Sequence, residues 1–326
     1  MNPSPAPNSS AKRKAEANDT SPPNKIARLD NADRTPQTIR EAREKSPWTY
    51  DRIRLTPPES GRSIAEAVDG DVVALIRFYG TSAPAMIEKQ WLARLESNQW
   101  LSSNQVTFFC YEVANAYVEG TPGRGMDLVA LHCDTWGLRT IGHPGPGALR
   151  HKNAPSPLEY KYIAFPANEN NNHYFLCIIL WPSDLLLDIN PLGPVRTTAL
   201  ILNSMAEMQP KEPDASVRRI IKQISLGRRL REKELLNITV HMPRMPQQPN
   251  SYDCGLYPGH FLSVFLSDPE KFAAHCTGKA PIEGSEDVLW RHDRVPFARK
   301  HLRSLIETAA RIREASLKFN SDVIRG

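Results

Sequence analysis

The chain is short of several things, and each shortage excludes something. It has 5 cysteines in 326 residues, and no two of them stand at Cys-x-x-Cys spacing. A zinc site held by paired thiolates is therefore not expected, and neither a metal nor an organic cofactor is implied. An odd cysteine count with no N-terminal signal segment fits reduced thiols in cytosol or nucleus. Long apolar runs are missing too: Tyr174–Trp181 is eight residues, against the ~20 that cross a bilayer. No membrane association is expected. Strong charge of one sign is also absent. The net charge is +5, and beyond residue 60 the chain carries 30 basic against 28 acidic residues. That balance argues against a dedicated nucleic-acid binder.

Residues 1–60 lack apolar periodicity and hold nine of the 28 prolines. Such a segment buries too little surface to offset its conformational entropy, so a disordered tail is expected. Lys12-Arg13-Lys14 with Lys25 and Arg28 resembles a bipartite nuclear import signal, although a solvated basic tail reads the same way. Ser21, Thr35, Ser46 and Thr56 each precede proline and offer phosphorylation positions. The remaining residues, 61–320, suffice for one domain with a sizeable core.

What the chain does have is Pro246-Gln247-Gln248-Pro249-Asn250-Ser251-Tyr252-Asp253-Cys254-Gly255. It sets a cysteine on a turn just before an apolar run that reads as a helix. A thiol at a helix N-terminus sits at the positive end of the helix dipole, which favours thiolate. Gln248, six residues upstream, carries an amide donor for an oxyanion formed beside that sulfur. Upstream, Tyr160–Phe165 reads as a strand broken by Pro166 and a polar turn, and His173 opens a second, buried strand. After the turn Pro182-Ser183-Asp184, Leu185–Leu187 is expected to return as an antiparallel strand ending at Asp188. That hairpin would bring Asp188 beside His173 as the orienting acid of a triad. Asp184 and Asn190 are the nearest rivals for that role.

These segments resemble the SUMO-specific, Ulp-type cysteine proteases, relatives of papain. The resemblance rests on Phe165-Pro166, His173-Tyr174, Asp188 with Gly193, and the full Pro-Gln-Gln-x-Asn-x-x-Asp-Cys-Gly motif. It extends upstream to Trp91–Leu95, Trp100-Leu101 and Phe108-Phe109, and covers roughly residues 70–270. It implies an α+β, papain-like fold, with a mostly antiparallel central sheet flanked by helices. It implies Cys254 as nucleophile, His173 as general base and then acid, and Asp188 as orienter. Gln248 and the Cys254 N–H would form the oxyanion hole. Trp100 and Tyr174 stand where the family has two tryptophans forming a tunnel for a Gly-Gly tail. Tyr174 is a departure, and so is Ser103, where the family usually has Asp. The implied partner is SUMO, or another ubiquitin-like protein and its conjugates, handled by a monomer. Alternatives are a virus- or transposon-type protease, an acetyltransferase of the same triad order, or a silent modifier-binding module.

Cys110 and Cys177 read as core residues, whereas Cys276 reads as exposed. His132-Cys133-Asp134 contains all three triad residue types, but on a strand these neighbours would point to opposite faces. Further elements are expected as a strand at 71–79, helices near 84–96 and 102–118, and a long loop over 119–157. A basic helix over 214–234, a strand at 237–241 and a C-terminal helix at 297–315 complete the reading. Arg218, Arg228 and Arg229 on the basic helix offer a steering row for an acidic partner.

Overall fold

The computed structural model describes residues 72–325, apart from 77, 79–83, 97, 121–122, 140–154, 170 and 226. The expected tail, its basic clusters and its Ser-Pro and Thr-Pro pairs lie outside the described residues. Strands β1 (Val72–Ile76) and β2 (Ala85–Glu88) form an antiparallel pair. The main sheet has the order β3–β4–β5–β6–β7, built from β3 (Leu128–Ala130), β4 (Tyr162–Glu169), β5 (His173–Leu180), β6 (Thr198–Leu202) and β7 (Val240–His241). The inner pairings β4/β5 and β5/β6 are antiparallel, and the short outer ones, β3/β4 and β6/β7, are parallel. This is the expected α+β, papain-like architecture. All eight residues of β5 are buried, as a strand covered on both faces requires.

The helices are α1 (Ser103–Glu119), α2 (Pro213–Ile224), α3 (Glu232–Leu236), α4 (Tyr257–Phe265), α5 (Pro269–Cys276), α6 (Glu286–Leu289) and α7 (Val295–Arg325). None is long and apolar enough to cross a membrane, among the described residues. A capping box starts α1: the Ser102 hydroxyl accepts from the Gln105 N–H, and the Gln105 side chain accepts from the Ser102 N–H. Helices α1 and α4 meet at Gly259, where a Cβ would lie 2.3 Å from the Phe109 ring. Only glycine lets the two backbones approach this closely.

Several expected elements differ, each for a local reason. Residues 85–88 form a strand, not a helix, because Ala85 and Ile87 are buried at a spacing of two; a 3₁₀ helix, Lys89–Leu95, follows. Pro166 does not break β4 but pairs opposite Leu176 within it. Strand β3 pairs β4 only as far as Ala164, so on that side no ladder bond is missed where proline has no N–H. The expected loop 119–157 contains β3. The basic helix ends at Ile224, and Gly227, at φ +83°, separates α2 from α3. The expected strand Leu185–Leu187 is reduced to an isolated bridge at Leu186, while the other expected strands and the C-terminal helix are present.

Candidate active site

Cys254 opens a 3₁₀ turn, Cys254–Leu256, that runs into α4. It is buried at 3 % exposure. A Cβ on Gly255 would sit 2.9 Å from Val106 Cγ2 and 3.0 Å from Leu101 Cβ. The glycine after the cysteine is therefore a packing requirement of α1 and the segment before it. Burial pushes the Cys254 thiol up; the backbone N–H groups of Tyr174 and Gly255 pull it down, and the Asp253 charge pushes it up. The sulfur is thus seated beside the residue that follows His173.

His173 is fully buried, and its Nε2 lies 2.6 Å from Asn203 Oδ1. An amide oxygen only accepts, so Nε2 carries the proton. Asn203 cannot turn its amide over: Oδ1 also accepts the Met205 N–H (2.9 Å), and Nδ2 donates to the Met208 carbonyl (2.9 Å). His173 Nδ1 is buried and has no hydrogen-bond partner among the described residues. Burial lowers the His173 pKa, and the neutral Asn203 raises it only in part. The imidazole therefore rests neutral, with Nδ1 unpartnered among the described residues, one residue before the Tyr174 N–H that meets the sulfur.

Asp188 is not part of this site. Leu186 makes only an isolated bridge to Leu230, and the true neighbour of β5 is β6. Strand β5, at eight residues, spans roughly 26 Å, and four residues returning from the turn cover only about half of that. Asp188 consequently lies in the surface and pairs with Arg228, whose guanidinium holds its carboxyl below the usual range. The Leu176↔Leu202 register sets Asn203 opposite Phe175, on the same sheet face as His173. Asp184 is bound by Arg196 at 2.9 Å, and Asn190 donates to the Asp184 and Pro194 carbonyls. The signal for Asn203 was in the sequence: the buried run Thr198–Leu202 ends at Asn203-Ser204.

Gln248 is held at both ends of its amide. Oε1 accepts the Ser204 hydroxyl (2.8 Å) and Nε2 donates to the Asn250 carbonyl (2.5 Å). One of its two amide hydrogens is thereby used, and the second has no acceptor among the described residues. Trp100 is 44 % exposed, just ahead of α1. Tyr174 is buried, and its hydroxyl lies 2.9 Å from Ser103 Oγ. The two departures are therefore one paired change, Tyr and Ser bonded to each other. Among the arginines, Arg228 pairs with Glu159 and Asp188, and Arg218 donates to the Leu236 and Ile238 carbonyls. These two are engaged within the chain, whereas Arg229 is exposed.

The other cysteines are buried, Cys276 included at 5 % exposure; burial pushes the Cys276 thiol up to about 12. His132, Cys133 and Asp134 do converge, because Cys133–Arg139 is a 3₁₀ helix rather than a strand. The Cys133 sulfur lies 3.7 Å from both His132 Nδ1 and Asp134 Oδ1. His132 acts there as a helix cap, with Nδ1 accepting the Asp134 N–H (3.2 Å) and Nε2 3.2 Å from Asn104 Oδ1.

Residues 134–280 match the family described as "Ulp1 protease family, C-terminal catalytic domain". Ubiquitin-like-specific protease 2 of Schizosaccharomyces pombe is 22 % identical over 281 residues, covering 76 % of this chain and 43 % of the relative. The chain therefore spans less than half the length of that relative. A solved structure described as a de-sumoylating protease superposes with a TM-score of 0.58 at 18 % identity, over 76 % of this chain and 95 % of the other. That likeness establishes the shared fold. The segment that is similar to the Ulp1 protease family takes in His173, Asn203, Gln248 and Cys254 together.

Proposed function

We propose that this domain is a cysteine peptidase and isopeptidase that cleaves after the C-terminal Gly-Gly of a ubiquitin-like modifier, SUMO being the first choice. One observation carries the reading. The His173 ring is locked by Asn203 through Nε2, while Nδ1 stays unpartnered on the residue next to the one whose N–H meets the Cys254 sulfur. Asn203 takes the orienting role expected of Asp188.

The chemistry follows from those atoms. As the thiol attacks the glycyl carbonyl, its proton passes to His173 Nδ1 and a C–S bond forms. The carbonyl oxygen becomes an oxyanion, met by the Cys254 N–H and the free amide hydrogen of Gln248. On collapse, His173 gives the proton to the leaving amine and the C–N bond breaks, leaving a thioester. Water, deprotonated by His173, then hydrolyses the thioester and restores the thiol. Trp100 and Tyr174 are assigned to the tunnel over the Gly-Gly tail, where any Cβ would collide with the rings.

The test is covalent capture by C-terminal electrophile probes made from SUMO, ubiquitin and a third ubiquitin-like protein. A Cys254-dependent adduct with the SUMO probe, lost in Cys254→Ala, is the expected result. No adduct with any probe, from folded protein, removes the reading. A nuclear or nucleocytoplasmic location is proposed from Lys12-Arg13-Lys14, Lys25 and Arg28. Imaging of the full chain with Lys12, Arg13 and Lys14 changed to Ala checks it, nuclear exclusion being expected.

A further inference from the structure

Arg299 lies on α7, outside the 134–280 segment that matches the family, and its side chain is only 11 % exposed. Its guanidinium makes four hydrogen bonds. Nη1 donates to the carbonyls of Arg94 (2.7 Å) and Glu96 (3.1 Å), and Nη2 to the Gln99 carbonyl (3.0 Å) and Asp253 Oδ1 (2.6 Å). Three of these hold the segment that leads into Trp100. The fourth holds the residue before the nucleophile. One turn on, Arg303 pairs with Glu96 (2.5 Å), so α7 grips that segment twice.

From Asp253 the bonds continue inward. Asp253 Oδ2 accepts from Asn250 Nδ2 (2.9 Å), and Asn250 Oδ1 accepts the N–H groups of Tyr252 and Asp253 (3.1 and 3.0 Å). The Asn250 carbonyl accepts from Gln248, and Gln248 accepts from Ser204, the neighbour of Asn203. The polar positions of the cysteine motif are thus a bonded chain with Arg299 at one end and Ser204, the neighbour of Asn203, at the other.

We propose that Arg299 is a positioning residue that ties the substrate-tunnel segment 94–100 to the nucleophile loop and neutralises Asp253 beside Cys254. This rests on the proposed peptidase reading for its tunnel arm only. The physical need is direct: an uncompensated carboxylate next to the sulfur opposes the thiolate. The titratable and charged groups that act on Asp253 or Cys254 are Tyr174 on β5, Tyr257 on α4 and Arg299 on α7; α1 presents Val106 to Gly255. Arg299 is the cation among them that contacts Asp253.

The experiment measures iodoacetamide alkylation of Cys254 against pH, and capture kinetics with the SUMO probe, on the full chain. Arg299→Met is expected to slow alkylation at pH 7 about tenfold and to move the thiol titration upward. Asp253→Asn with Arg299 intact is expected to speed alkylation and move it downward. The double variant Arg299→Met/Asp253→Asn should regain wild-type alkylation but still show a raised KM for the probe, because the carbonyls of residues 94, 96 and 99 stay unheld. Arg299→Lys should rescue alkylation more than KM. Wild-type titration in both single variants, or full recovery of KM in the double variant, overturns the proposal. Should Arg299→Met not fold, the Asp253→Asn titration decides alone. If wild type captures no modifier probe, the peptidase reading fails, while the alkylation arm still reads Arg299.

Discussion

Two Leu-rich triplets in this chain are each followed by a polar residue, and they meet opposite fates. Leu185-Leu186-Leu187 precedes Asp188, which pairs with Arg228 in the surface. Leu200-Ile201-Leu202 precedes Asn203, which holds the ring of a fully buried histidine. The first triplet follows the turn at once and finds no strand partner. The second comes after the loop through Gly193 and Pro194 and adds a five-residue strand along β5. The difference teaches that distance along the sheet, not residue type, selects which side chain reaches His173. Aspartate is the stronger orienter in isolation, since its charge stabilises imidazolium; position overrules it.

The widest test of that contrast removes the base itself. His173→Ala should lower kcat/KM by at least about 10²-fold, the ordinary worth of a positioned general base, measured by hydrolysis of a fluorogenic modifier conjugate. Next comes the direct comparison. Asn203→Ala, which frees the ring and leaves a buried N–H unpaired, should reduce kcat roughly 10- to 100-fold, whereas Asp188→Ala should stay within about twofold, as exposed ion pairs generally do. Equal losses in the two variants would return the orienting role to Asp188.

A finer test installs the carboxylate where the geometry wants it. Burial lowers the His173 pKa, so the acid limb of kcat/KM should fall below the ordinary histidine value of about 6.5. Asn203→Asp adds an opposite charge on Nε2, which raises that pKa and moves the limb to higher pH. The same charge favours the thiolate–imidazolium pair, so alkylation of Cys254 at pH 7 should become faster. A smaller effect is expected at the paired departures. Tyr174→Phe removes one partly buried hydrogen bond to Ser103, about 1 kcal/mol, and should show in KM for the modifier rather than in kcat. On stability alone, Gly255→Ala should cost about 1–3 kcal/mol by overpacking against Val106 and Leu101, read as a lower denaturation midpoint.

The cysteine motif was legible because its chemistry is local. Cys254, Asp253, Asn250 and Gln248 lie within seven residues, and most of their bonds close inside that segment, the outside ties being to Tyr174, Ser204, Gly255 and Arg299. His173 was legible as well, since it opens the buried strand β5. The α+β class followed from the order of apolar runs. The missed elements share one cause. Pro166 inside β4, the strand β3 within a Gly- and Pro-rich stretch, and the convergence of His132 with Asp134 each depend on where a neighbouring element ends.

By itself the sequence singled out Cys254, His173 and Gln248 and outlined the core strands. These depend on residue type and short spacing, which a chain carries in any conformation. Only the tertiary structure decided that Asn203 rather than Asp188 bonds to His173, that Ser103 and Tyr174 form one pair, and that Arg299 reaches Asp253 from α7. Each joins residues separated by 30, 71 and 46 positions respectively. Contacts at that range are fixed by strand register and by helix packing, and neither is written in any local run of residues.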